Sequence, residues 1–257
     1  MISYCVCLSR PAQASMLLRE LVEKTKVPYE ILVWMNTSDQ RLVDTIETMR
    51  AELIPIRVVG STPCDMGMQG FRVLFEQAKY DMIAQVDEHV IMMSPGIPEK
   101  AAAIFKKYKD VKMLVADVVQ DKYTDGGRPP LDQYKSFDES NGLYDGPVDG
   151  WFAIYDKALF PAMYDVTYER SFFLGSWARG KAISMKYRGL LCTQMKVFHA
   201  YGPAYAETFG SRVEEAGRIR YFGNHPLADL YMSCVISADN IREMRLNIDQ
   251  VRQKFQA

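Results

Sequence analysis

Short β-prone runs alternate with helical ones over the first 118 residues, and that alternation limits the folds open to this chain more than any other feature. Residues 2–8 are apolar and β-prone, and 12–25 are helical, with Met16, Leu17, Leu21 and Val22 on one side. A second strand, 29–34, runs into the polar cluster Asn36-Thr37-Ser38-Asp39, which doubles as a helix N-terminus. Helix 39–52 carries Leu42, Ile46 and Met49, and a third strand from Ile54 to Val59 is closed by Gly60. Helix 66–79 (Phe71, Leu74, Phe75, Ala78) precedes a fourth strand at 81–87. After Pro95-Gly96, a helix at 97–108 leads to strand 111–118. Such a series predicts an α/β fold built on a mostly parallel, doubly wound sheet.

The second half changes texture. Residues 120–149 are rich in Asp, Gly, Pro and Tyr, which reads as loops and short strands. Strand-like runs at 151–155 and 190–198 flank a helix near 176–187, so the sheet is expected to become mixed. A Gly- and charge-rich stretch covers 200–226. Ser237-Ala238-Asp239-Asn240 then starts a C-terminal helix bearing Ile241, Met244, Ile248 and Val251. Internal repeats and low-complexity tracts are absent.

Composition removes several function classes. With 48% hydrophobic and 25% charged residues among 257, the chain is an ordinary globular one with ample length for a core. A net charge of −1 offers no strong field to nucleic acid or an anionic membrane, so neither is indicated; a local basic groove would escape such a sum. No apolar stretch approaches the ~18 residues of a spanning helix. The N-terminal run lacks the basic region and apolar length of a signal peptide. Five cysteines (5, 7, 64, 192 and 234) are odd in number and scattered, without a CxxC pair, which fits a reducing cytoplasm.

Ligands of an open parallel sheet collect beyond the carboxyl ends of its strands. Three such ends are polar here: Ser9-Arg10, Asn36 to Asp39, and Asp87-Glu88-His89. Residues two apart in extended chain lie on the same side, so Asp87 and His89 can share a divalent ion. Mixed oxygen and nitrogen donors suit Mn²⁺ or another borderline first-row metal better than Ca²⁺. Alone, an Asp-X-His is more often a solvated strand end. His199 follows the apolar run Met195-Lys196-Val197-Phe198, where a lone histidine is more often a satisfied core residue. His225, in Gly-Asn-His-Pro, reads as a turn residue. Trp151, after Asp149-Gly150, is either a stacking platform for a sugar ring or core. Arg72 either faces a phosphate or base, or is a plain surface arginine.

Taken in order, these segments resemble the family-2-like glycosyltransferases of GT-A fold over roughly residues 2–202. ISYCVCLSRP is similar to that family's first strand, and EILVWMNTSD to its second. GMQGFRVLFEQAKYDMIAQVDEHVIMMSPG is similar to its helix, strand and metal motif. PVDGWFAIYDKALF and YRGLLCTQMKVFHAYG match its later strands, the last ending in histidine. The fold this implies is a GT-A-type (Rossmann-like) sheet with C-terminal helices. Residues 1–226 would be the catalytic domain, with 1–118 the nucleotide-binding half and 119–226 the acceptor-binding half; 227–257 would be a helical extension.

The resemblance implies a metal-dependent transfer of a sugar from a nucleoside-diphosphate donor to a hydroxyl acceptor, with Mn²⁺ or Mg²⁺ as cofactor. Asp87 would touch the donor ribose or the metal, and His89 would ligate the metal in place of the usual last aspartate. His199 would be the third ligand. A DxH with a later histidine also occurs in the polypeptide N-acetylgalactosaminyltransferases. Ser9, Arg10, Asn36 and Asp39 would lie around the nucleoside, Arg72 near base or phosphate, and Trp151 against the donor. Two departures stand out: the usual uracil-contacting acid falls on Met35, and Phe173-Leu-Gly-Ser-Trp-Ala-Arg-Gly lacks the acid of inverting members. An inverting transfer needs a general base, for which Asp149, Glu169 and Asp165 are the nearest candidates. A retaining transfer needs none, and a catalytically silent nucleotide-sugar-binding module would also lack one. A nucleotidyltransferase is a further reading, but Leu8-Ser9-Arg10-Pro11 is a poor version of its Gly-rich basic loop.

Overall fold

The structure, a computed structural model, describes residues 1–63, 68–120, 128–148, 150–159 and 174–199. Ten strands among them form one sheet in the order β3-β2-β1-β4-β9-β6-β10-β8-β7, with β5 paired to β10. The parallel half consists of β1 (Ile2–Leu8), β2 (Tyr29–Met35), β3 (Ile56–Ser61) and β4 (Met82–Asp87). Helices α1 (Pro11–Lys24), α2 (Gln40–Ala51) and α3 (Met68–Gln77) connect them. Each expected element of the first 118 residues is present, through α4 (Ile97–Lys107) and β6 (Val111–Val118).

Burial explains why the periodicity was readable. Leu42, Ile46 and Met49 of α2 are buried, each contributing roughly 1.5–3 kcal/mol of transfer free energy. Phe71, Leu74 and Phe75 of α3, with Ala78 just past its end, cover the opposite sheet face with Cys5, Leu32 and Ile83. On α1 the buried stripe is Ala14, Leu17, Leu18 and Leu21; Met16 and Val22, which the spacing also put on the inner side, are only half-buried. Strands β1 and β4 are buried on both faces, hence their nearly unbroken apolar sequences.

The mixed half begins where β9 (Phe152–Asp156) inserts antiparallel between β4 and β6. Past β6 lies β10 (Arg188–His199), parallel to β6, with α5 (Leu174–Ser184) leading into it. Two short strands, β7 (Lys135–Asp138) and β8 (Leu143–Asp145), build the far edge from the stretch read as loops and short strands. The turn between them ends at Gly142, whose φ of 63° and close approach to Thr193 exclude a side chain. One strand was not anticipated: β5 (Val90–Met92), three residues long, pairs antiparallel with the end of β10. The 200–226 stretch, the helix expected from residue 237 and the 227–257 extension lie outside the described residues, as do Asp149, Asp165, Glu169 and His225.

Candidate metal and donor site

Strand β4 ends at Asp87, whose N–H donates to the Trp151 carbonyl at 2.9 Å as β9 begins. The chain turns through Glu88 and His89 and re-enters the sheet as β5, where Val90 pairs with His199. That register brings two histidines from distant parts of the sequence together. Their ring centroids are 4.3 Å apart, and the Trp151 ring stands 5.0 Å from His199 on a tilted plane. His199 Nε2 lies 3.8 Å from Asp87 Oδ2. One donor atom from each of Asp87, His89 and His199 falls within 4.8 Å of the others. Both histidines are buried, whereas the Asp87 side chain is 28% exposed and marks the open side. A set of one carboxylate oxygen and two imidazole nitrogens at these separations suits Mn²⁺ or a similar transition ion better than Mg²⁺, which favours all-oxygen shells.

Glu88, the middle residue of the motif, takes no part in that cluster. Its carboxylate turns back under the end of β1 and accepts from Ser9 N–H (2.7 Å), Ser9 Oγ (2.6 Å) and Arg10 N–H (3.2 Å). It also pairs with the Arg10 guanidinium, both side chains being nearly excluded from solvent. A buried carboxylate is stable only with such partners. The pair ties the β1–α1 turn to the turn at Asp87-Glu88-His89, so Ser9 and Arg10 are placed beside the motif. Sequence reasoning passed over Glu88; the available signal was an acid and an arginine at neighbouring ends of strands too apolar to solvate either.

The other expected donor contacts are more dispersed. Asn36 donates its N–H to the Leu8 carbonyl at 2.7 Å, so the β2 end lies alongside β1. Asp39 caps α2 through Arg41 N–H (2.9 Å) and pairs with the Arg41 side chain, which holds its carboxyl below the usual range. Arg72 is 40% exposed on α3 and pairs with Glu76 one turn later. Trp34, opposite Cys7 in the sheet, presses so near Gly60 that a Cβ there would lie 2.4 Å from the indole.

No protein-family profile and no curated protein sequence matches the chain. Solved structures do. TarS from S. aureus in complex with UDP superposes with a TM-score of 0.59 at 15% identity, covering 91% of this chain and 75% of that one. Its complex with UDP-GlcNAc gives 0.57 at 15% identity, over 99% of this chain and 71% of that one. The mannosyltransferase PcManGT from Pyrobaculum calidifontis, in complex with GDP-Man and Mn²⁺, gives 0.62 at 12% identity, over 86% of this chain and 60% of its own length. At such identities the likeness establishes the fold, which is of GT-A type.

Proposed function

We propose that the chain is a metal-dependent glycosyltransferase that moves a sugar from a nucleoside-diphosphate donor to a hydroxyl acceptor. The observation that carries this reading is the convergence of Asp87, His89 and His199 at the carboxyl ends of the parallel strands. Support comes from the fold, shared with proteins solved with UDP, UDP-GlcNAc, or GDP-Man and Mn²⁺. A silent module would have no need to bring three ligands together across the sheet.

A bound divalent ion supplies Lewis-acid stabilisation of the nucleoside diphosphate as it leaves. Asp87 contributes the one negative charge of the ligand set and faces the donor. His89 and His199 contribute neutral nitrogens, with Trp151 packed on His199 to fix its ring and to border the sugar. Asn36 and Arg72 frame the nucleoside side, with Asp39 acting through the start of α2. Ser9 and Arg10 hold the metal turn through Glu88. Residues 1–118 bind the donor, 119–226 receive the acceptor, and 227–257 extend the domain. Asp149 and Glu169 are assigned as candidate bases for an inverting transfer. No helix among the described residues is long and apolar enough to cross a membrane, and scattered cysteines without a CxxC pair suit a reducing cytoplasm.

The test is Mn²⁺-dependent hydrolysis of UDP- and GDP-sugars by wild type, His89→Ala and His199→Ala. Loss of at least a hundredfold is expected in each variant, since an incomplete ligand set no longer holds the ion. An unchanged rate in both would sink the metal assignment.

A further inference from the structure

The same edge of the sheet carries a second charged cluster. Asp117, next to last in β6, has no exposed surface. Arg128 donates to it through Nε (2.6 Å) and Nη2 (3.3 Å), and the Lys196 ammonium donates to the second oxygen. Lys196 reaches this place because β10 bulges: Cys192 pairs with Ala116, but Lys196 pairs with Asp117, so three residues of β10 are passed over.

Among the described residues the charges do not balance. Among the described residues, Asp117 is the only acid that either cation meets. Arg128 and Lys196 side chains are 17% and 19% exposed, so one surplus positive charge is largely withdrawn from water. Withdrawing a charge is costly unless an anion completes it. Tying residue 128 to the sheet takes one cation; among the described residues the ammonium of the second, Lys196, donates to Asp117 alone, and an ammonium has three N–H donors.

Position gives the surplus charge a meaning. Asp87 N–H bonds the Trp151 carbonyl, and the pairing of Val115 with Ala153 continues to put Asp117 opposite Trp151 as well. Ile83, Val115 and Ala153 share one core cluster, so Asp87 and Asp117, in step with them, project from the same face. They stand two strands apart, about 10 Å at the usual strand spacing. The cluster therefore lies outside the coordination shell of an ion at Asp87. It lies on the side away from β1 and β2, where the donor nucleoside would sit.

We propose that Arg128 and Lys196, held by Asp117, form an anion-binding subsite for a phosphate or carboxylate on the acceptor or on the transferred sugar. The proposal rests on the donor-site reading for its place in the reaction, but not for its binding chemistry. Calorimetry of the full chain, alone and with Mn²⁺ plus UDP or GDP, would compare glycerol 3-phosphate with glycerol and glucuronate with glucose. The charged member of at least one pair should bind about tenfold or more tightly than its neutral match. Lys196→Gln and Arg128→Gln should each abolish that preference while keeping nucleotide and Mn²⁺ binding, because each still leaves Asp117 one cation. Preference for glycerol 3-phosphate assigns the anion to the acceptor, and preference for glucuronate assigns it to the sugar. Equal binding within both pairs, or a preference that survives both substitutions, overturns the subsite. A preference present in the chain alone, with no nucleotide binding at all, would refute the donor reading and leave the subsite standing.

Discussion

Replacing Glu88 with alanine should cost more stability than any single change at the proposed metal ligands Asp87, His89 and His199. The substitution removes the acceptor of Ser9 N–H, Ser9 Oγ and Arg10 N–H, and takes from Arg10 the carboxylate it faces in a nearly solvent-free site. Breaking a buried ion pair from one side costs about 3–5 kcal/mol. The lost hydrogen bonds overlap with that figure and are not added to it. Against a typical domain stability of roughly 5–15 kcal/mol, the loss is a large fraction. Urea denaturation of wild type, Glu88→Ala, Arg10→Met and the double variant measures it, the midpoint being read at constant slope. The double variant should be more stable than the sum of the single losses allows, because no charge is then left behind. Glu88→Gln, which keeps the shape, should fall between wild type and alanine. Since Glu88 sits between two proposed ligands, Mn²⁺ affinity should also drop about 10–100-fold in the folded Gln variant, as for other supporting groups. A loss below 1 kcal/mol in Glu88→Ala, or strictly additive single losses, would refute the reasoning.

Two further outcomes follow from the same geometry. Mn²⁺ at about a hundred times its dissociation constant should stabilise the chain by about 2.7 kcal/mol in a thermal-shift assay, whereas Mg²⁺ at equal concentration should do far less; equal shifts would argue that the imidazoles are not ligands. Asp138 accepts from Ser140, Tyr108, Asn141 and Lys107, which hold its carboxyl well below the usual carboxylate value. A depressed folded-state pKa adds stability above the unfolded value of about 3.9, and that stability is lost as the pH falls from there towards the folded value. Wild type should therefore melt above Asp138→Asn at pH 7, with the gap narrowing steadily below about pH 4; a gap independent of pH would refute the assignment.

Much of the scaffold was legible because it is written locally. The α2 stripe Leu42, Ile46, Met49 and the stripe Phe71, Leu74, Phe75 of α3, with Ala78 just beyond it, follow helical spacing, and both are buried as read. Strand β5 was missed because three apolar residues after a polar turn carry no periodicity. The antiparallel seat of β9 between β4 and β6 was equally hidden, since the apolar run of Phe152–Asp156 does not report the direction in which a strand is paired.

Within the site, Asp87 and His89 were joined by the sequence itself: two residues apart at a strand end, they must lie close. Everything that gives the pair its company came from strand register. Pairing of β5 with β10 sets His199 against His89, and the bulge in β10 carries Lys196 to Asp117. The meeting of Arg10 with Glu88 spans 78 positions, a separation over which periodicity says nothing. The sequence by itself determined the order of strands and helices and which ends would be polar, because those depend on near neighbours. Tertiary structure alone decided which of those polar residues neutralise one another and which remain to bind, because a charge's role depends on what the fold brings within a few ångströms of it.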